Sequence, residues 1–227
     1  MTKKIFSHQI WHALCLLILF IGVSKSIENY PSILNGSLFG YSTYTWLIIS
    51  MLSPIVHQLY VLFCWRSELY YKYLSKNYGK NAFIYYKKIF TVLILSRPIF
   101  ILLLSISNSN SLYIWPVFYW AIIILLLIPG IYSQYSVAKY FGYDRAFGID
   151  HFEPEIYNKI PLVNEGIFKY TSNGMYVYAF FLIWLPGIIF ESQAGILLAL
   201  FHHLYIWVHY YFTELPDIRY IYGKQQK

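Results

Sequence analysis

Two polar corners flank a long apolar stretch near the end of this 227-residue chain. The first reads Ser172-Asn173-Gly174-Met175-Tyr176, the second Thr213-Glu214-Leu215-Pro216-Asp217. Between them lie two apolar runs, about Met175 to Phe190 and Ala194 to Phe212, joined by Glu191-Ser192-Gln193. So short a turn makes an antiparallel helical hairpin, which brings the chain back to the membrane face it left. An amide, phenols, a carboxylate and the neighbouring His209 then meet at one face. Polar groups converging beside apolar walls are what a small-molecule site requires.

The rest of the chain reads as the body that holds this corner. Apolar residues make up 58% of it and charged residues only 12%, against about a quarter charged in a soluble domain. Apolar runs of about 18 residues or more span a bilayer core. They fall at about Ile10–Val23, Tyr44–Trp65, Ile89–Ile106 and Tyr113–Tyr132, followed by the two arms of the hairpin. The expected fold is all-α: a polytopic integral membrane protein of about six transmembrane helices ending in a helical hairpin. It divides into a membrane helical body over residues 1–133 and a loop plus hairpin over 134–227. Lys3 and Lys4 before the first run would also suit a signal peptide, but Val23-Ser24-Lys25-Ser26 is a poor cleavage site, so the run is expected to stay as a span. Cys15 and Cys64 sit inside apolar runs and are expected as small core residues.

Charge sets orientation. Arg66–Lys88 holds six basic residues and one acid, interleaved with tyrosines that suit the headgroup zone. The positive-inside rule places the start, this loop, the Gln134–Gly174 loop and the tail on the cytoplasmic face. The net charge of +7 is therefore explained by topology and anionic lipid, and no nucleic-acid partner is expected. Within the spans, Pro54 is expected to free a backbone carbonyl and kink its helix. His57 is a functional candidate whose plainer role is a hydrogen bond to a neighbouring helix. Arg97 at mid-span needs a partner or a polar cavity, and an Asp or Glu near the site is the expected partner.

The closing third resembles the membrane-embedded methyltransferases that group phospholipid N-methyltransferases with isoprenylcysteine carboxyl methyltransferases. The resemblance rests on Gly166-Ile167-Phe168, Ser172-Asn173-Gly174-Met175-Tyr176 and Thr213-Glu214-Leu215-Pro216, in that order around a hairpin, with the Asn-x-Met-Tyr form nearer the phospholipid branch. Gly174 stands where the family has proline, and Thr213 where it has a first glutamate. The resemblance implies S-adenosyl-L-methionine as cofactor, bound on the cytoplasmic side, and a lipid or lipid-linked amine or carboxylate as methyl acceptor. It implies cofactor binding by Gly166, Tyr170, Asn173, Met175, Tyr176, His209 and Glu214. Ring faces of Tyr170, Tyr176, Tyr210 and Tyr211 can attract a sulfonium, Glu214 can accept from the ligand's ammonium, and N–H groups near Asn173–Tyr176 can hold its carboxylate. The simpler roles are a helix N-cap for Asn173, an interfacial anchor for Tyr176 and a salt bridge to Arg219 or Lys169 for Glu214. Candidate proton acceptors are His209, Asp150, His151 and Asp217.

Three rivals compete with this reading. Phe201-His202-His203 with His209 invites a metal, but adjacent histidines diverge by about 100° on a helix, and no metal site is expected. A sterol-type membrane reductase using a nicotinamide cofactor would share the hairpin and an aromatic-Gly ending such as Tyr222-Gly223. A transporter or scaffold would need no chemistry, although no internal repeat is apparent. Composition favours a bacterial inner membrane, with the endoplasmic reticulum as alternative.

Overall fold

The computed structural model describes residues 2–223, with side chains from residue 4 onward; Lys3's side chain and the tail after Gly223 lie outside that part. Four of the described helices are long and apolar enough to cross a membrane. They are α1 (Gln9–Asn29), α2 (Thr43–Tyr71), α3 (Ala82–Ser107, reached through a short turn from Tyr73) and α4 (Pro116–Ser136, extended to Phe141). The 21 residues of α1 make about 31 Å of helix, the thickness of a hydrocarbon core. Ile10, Ile18, Leu125 and Ile128 lie exposed on α1 and α4, a pattern that needs lipid as solvent. The chain is an all-α polytopic membrane protein.

The last two expected spans are shorter than the other four. The outgoing arm is broken into Gly174–Val177, a 3-10 stretch Ala179–Trp184 and Leu185–Ile189. Pro186 opens the last piece, and its missing N–H leaves the preceding carbonyls to tighter bonding. The return arm, α5 (Gln193–His209), has 17 residues and starts on Ser192, whose hydroxyl accepts from the Gly195 amide. The arms touch through Gly187 and Gly195: a Cβ on Gly195 would sit 2.8 Å from the Gly187 Cα and 2.1 Å from the Ser105 Oγ. Small residues permit such approaches in membranes.

The neutral turn after α3 anchors the hairpin tip. Asn108 Oδ1 accepts from the Ala194 amide and from the Ser111 and Ser192 hydroxyls, while its Nδ2 donates to the Ser32 and Asn35 carbonyls. A buried amide with both ends satisfied fixes position more than it adds energy. With this tip pinned, α5 lies at the centre of the bundle, its Leu198, Ala199, Phe201 and Tyr205 buried against α1, α2 and α3.

Pro54 leaves a carbonyl of α2 to another donor. Pro54 cannot bond the Ser50 carbonyl, and His202 Nε2 donates to that oxygen at 2.8 Å. His202 is thereby committed, and His203 Nδ1 accepts from the Trp184 indole at 3.0 Å. Two expectations for the spans are corrected. Neither ring nitrogen of buried His57 has a hydrogen-bond partner; its ring instead meets Phe90 edge-on at 4.7 Å. No carboxylate of the described residues pairs with Arg97, whose Nε donates to His202 Nδ1 at 3.4 Å and whose guanidinium lies 5.1 Å from the Phe180 ring centre.

Candidate functional site

The hairpin closes the site as a helical fold-back must. Tyr176, just inside the outgoing arm, donates its hydroxyl to Glu214 Oε2, past the end of the return arm. The two corners are therefore in direct contact. Beyond His209 the helix widens into an i to i+5 turn, Tyr210–Glu214, before α6 (Leu215–Tyr222) opens with Pro216. Such widened turns shift the side chains that follow them, and here Glu214 lies half-buried against Tyr176. Asn173 makes no side-chain cap on its helix, and its side chain lines the cavity together with Tyr210.

Next to this contact lies a cavity lined by Asn173, Met175, Tyr176, Tyr210, Glu214 and, across it, Asp150 and His151. Asp150 and His151 arrive on a one-turn helix, Ile149–Phe152, in the long polar loop. His151 Nδ1 bonds Asp150 Oδ1 at 2.9 Å and its ring stacks on Trp65 at 4.1 Å. The Tyr222 hydroxyl donates to Asp150 Oδ2 at 3.0 Å, tying α6 to the same loop. Burial alone would lower the His151 pKa, but the Asp150 and Asp217 carboxylates lift it to about 9, so the ring is charged at neutral pH. Burial would raise Asp150; the charge and hydrogen bond of His151, with the Tyr222 hydroxyl, outweigh it and hold the carboxyl below its usual range. Burial pushes Glu214 up to about 7, against the lowering pull of the Tyr176 hydroxyl and of His151.

Gly148 sets the loop against α2. Its φ is +87°, and a Cβ there would meet the Trp65 ring at 2.4 Å. Gly148→Ala is expected to lower stability by about 1–3 kcal/mol, through backbone strain and the displaced indole. A thermal melt in detergent checks this, and an unchanged midpoint would contradict the packing described.

A second cavity shares Trp65, Ala146, Met175, Tyr176 and Glu214 with the first. It runs between α3 and α4 toward His57, Gln58, Arg97, Phe180 and His209. Most of its wall is apolar. Polar atoms of His57, Gln58, Arg97 and His209 in this wall have no hydrogen-bond partner.

Behind both cavities, Arg66 is a buried staple. Its Nε reaches both Asp217 oxygens at 3.2 Å, and its remaining nitrogens donate to the carbonyls of Ile5, Ser7, Phe212 and Thr213. The sequence places Arg66 among headgroup-facing charges; the structure corrects this, since the residue is still within α2 and 1% exposed.

The sequence candidates sort accordingly. Asn173, Met175, Tyr176, Glu214, Asp150 and His151 line the first cavity, and His209 lines the second. Asp217 lines neither; it is held by Arg66 and by the Tyr70 hydroxyl at 3.1 Å. Tyr170 is 73% exposed and Tyr211 54%, so of the four expected ring faces only Tyr176 and Tyr210 reach the cavity. Gly166, at φ +58°, packs on Ser136 and Tyr140 and shapes a turn. Among the described residues no cluster of three or more His, Cys, Asp or Glu could hold a metal ion. Trp65 and Tyr222, both in the site, carry no local signal apart from Tyr222's place in an aromatic-Gly pair.

Residues 118–225 match the family model of the phospholipid methyltransferases, a segment running from α4 through the hairpin to the end of α6. The match is consistent with a membrane methyltransferase of the phospholipid and isoprenylcysteine carboxyl type. No curated protein and no solved structure matches the chain.

Proposed function

We propose that the protein transfers a methyl group from S-adenosylmethionine to a lipid or lipid-linked acceptor, with the cofactor in the first cavity and the acceptor in the second. The observation that carries this reading is the shared wall: Tyr176 and Glu214 face both cavities at once. The residues present fit the cofactor. A half-buried carboxylate on Glu214 suits an ammonium, the charged His151 suits a carboxylate, and the rings of Tyr176 and Tyr210 suit a sulfonium. When bound, the cofactor supplies an electrophilic methyl group for in-line displacement.

The chain's own work is positioning and exclusion of water. Holding two reactants in line replaces a bimolecular encounter and can supply much of the rate. Trp65, Met175 and Ala146 line the junction with apolar surface, and a low-dielectric wall disfavours the charged form of an acceptor amine. Among the proton-acceptor candidates, His209 faces the acceptor cavity, with its Nδ1 unpartnered. His151, charged at neutral pH, orients ligand charge instead. The cytoplasmic placement of the site and the choice between an amine and a carboxylate acceptor belong to this proposal as well.

Calorimetric titration of the detergent-purified protein with S-adenosylhomocysteine tests it. One saturable site is expected; a folded protein giving no heat of binding overturns the assignment.

A further inference from the structure

The second cavity holds a charge that the protein does not satisfy. Arg97 is 2% exposed, and its Nη1 and Nη2 have no hydrogen-bond partner. Among the described residues its one hydrogen bond is the Nε donation to His202, itself already bonded to the Ser50 carbonyl. Both nitrogens of His57 are likewise free of partners. An isolated cation in an apolar wall is costly unless something of opposite charge meets it. Ten residues separate Arg97 from Lys87, which pairs with Asp144 in the polar loop, so Arg97 lies about 15 Å deeper along α3.

From this geometry we infer that Arg97 is the anchor for an anionic group, a phosphate ester, on the acceptor lipid, with the cavity between α3 and α4 as the lipid's berth. A guanidinium with two free N–H edges matches phosphate oxygens in a bidentate pair. Phe180 packs against the guanidinium face and leaves its edge for the ligand. The apolar remainder of the wall, with Ile94, Val137, Ala179 and Ile206, suits hydrocarbon. Phe180 and Tyr176 are four residues apart on the broken arm, about 6–8 Å by helical rise. A group held at Arg97 therefore places the next few bonds of its headgroup beside Glu214, at the junction with the first cavity. The inference rests on the methyltransferase reading for the meaning of that junction; the anion site does not depend on it.

Native mass spectrometry of the full chain in a neutral detergent tests the site. The probes are dimyristoyl phosphatidic acid and dimyristoylglycerol, which differ by the phosphate alone, with inorganic phosphate titrated by calorimetry. Expected is at least tenfold greater occupancy by phosphatidic acid than by diacylglycerol, with no binding of inorganic phosphate. Arg97→Gln should reduce phosphatidic acid to the diacylglycerol level, and Ile94→Trp, which fills the berth and keeps the charge, should do the same. Lys87→Ser/Lys88→Ser should leave the preference intact. Equal occupancy by the two lipids in the unmodified protein overturns the proposal, as does undiminished phosphatidic acid binding in either cavity variant. Inorganic phosphate binding as tightly as the lipid overturns the lipid assignment. Arg97→Gln should retain S-adenosylhomocysteine binding. Absence of that binding in the unmodified protein defeats the methyltransferase reading and leaves the lipid comparison standing.

Discussion

Replacing Arg66 with alanine is expected to destabilise the protein by about 3–5 kcal/mol, the cost of leaving a buried partner charge uncompensated. More than the ion pair is lost. Asp217 is 0% exposed and keeps only the Tyr70 hydroxyl as a close partner, with His151 Nε2 at 3.8 Å. The carbonyls of Ile5, Ser7, Phe212 and Thr213 lose the guanidinium in the same step, although Gln9 Nε2 still donates to Ser7 and Phe212. Two of these, on Phe212 and Thr213, belong to the widened turn that presents Glu214, so the site should loosen with the fold. The double replacement Arg66→Met with Asp217→Leu separates the two effects. Swapping a buried ion pair for apolar packing is often neutral, but here the Ile5 and Thr213 carbonyls still lack the guanidinium, so only partial rescue is expected. Thermal unfolding in detergent, followed by near-ultraviolet dichroism, measures all three proteins. A wild-type midpoint for Arg66→Ala would show that the staple does not hold α6.

That staple also shows where reading the chain stops working. The hairpin was legible because its signals are local: two apolar runs, a three-residue turn and a polar corner at the far end of each run. That the two corners meet follows from the fold-back; that Tyr176 and Glu214 are the residues in contact comes from the structure. Arg66 carries the opposite lesson. In sequence it opens a basic, tyrosine-rich loop and reads as one more headgroup charge, yet its partner Asp217 lies 151 residues away. Arg97 is legible as an anomaly, since mid-span charge is expensive, but the guess of a nearby carboxylate failed. Its neighbours are set by the packing of α5 on α2 and α3, where His202 serves the carbonyl freed by Pro54. His57 misled in the same way: which histidine bonds the adjacent helix depends on helix rotation, to which composition is blind. Asn108 sits in a stretch that looks like a neutral linker, and only the folded hairpin tip supplies the five groups it binds. The pairing of Asp150 with Tyr222 is equally non-local, 72 residues apart.

Glu214 gives the second large effect, and its sign can be worked out from the site. Burial holds its pKa at about 7, above the ordinary 4.5, so the group is neutral below that pH and a carboxylate above it. If the carboxylate receives the ligand's ammonium, affinity for S-adenosylhomocysteine rises with pH through 7, and falls about tenfold per unit well below it as the acceptor is protonated. The other titrating groups of the cavity do not mimic this between pH 5 and 8. Asp150 is held below the usual carboxylate range and stays ionised, and His151, near 9, stays charged. Glu214→Gln removes the charge and keeps the shape. A hydrogen bond to a charged group contributes about 1.5–3 kcal/mol, so affinity at pH 8 should fall roughly 10- to 150-fold, and the pH dependence should flatten. Calorimetric titrations of both proteins at pH 5.5, 6.5 and 8 measure the two effects together. Weaker binding with the slope retained would move the titrating group elsewhere and leave Glu214 a packing role against Tyr176. An unchanged affinity would remove it from the cofactor site altogether.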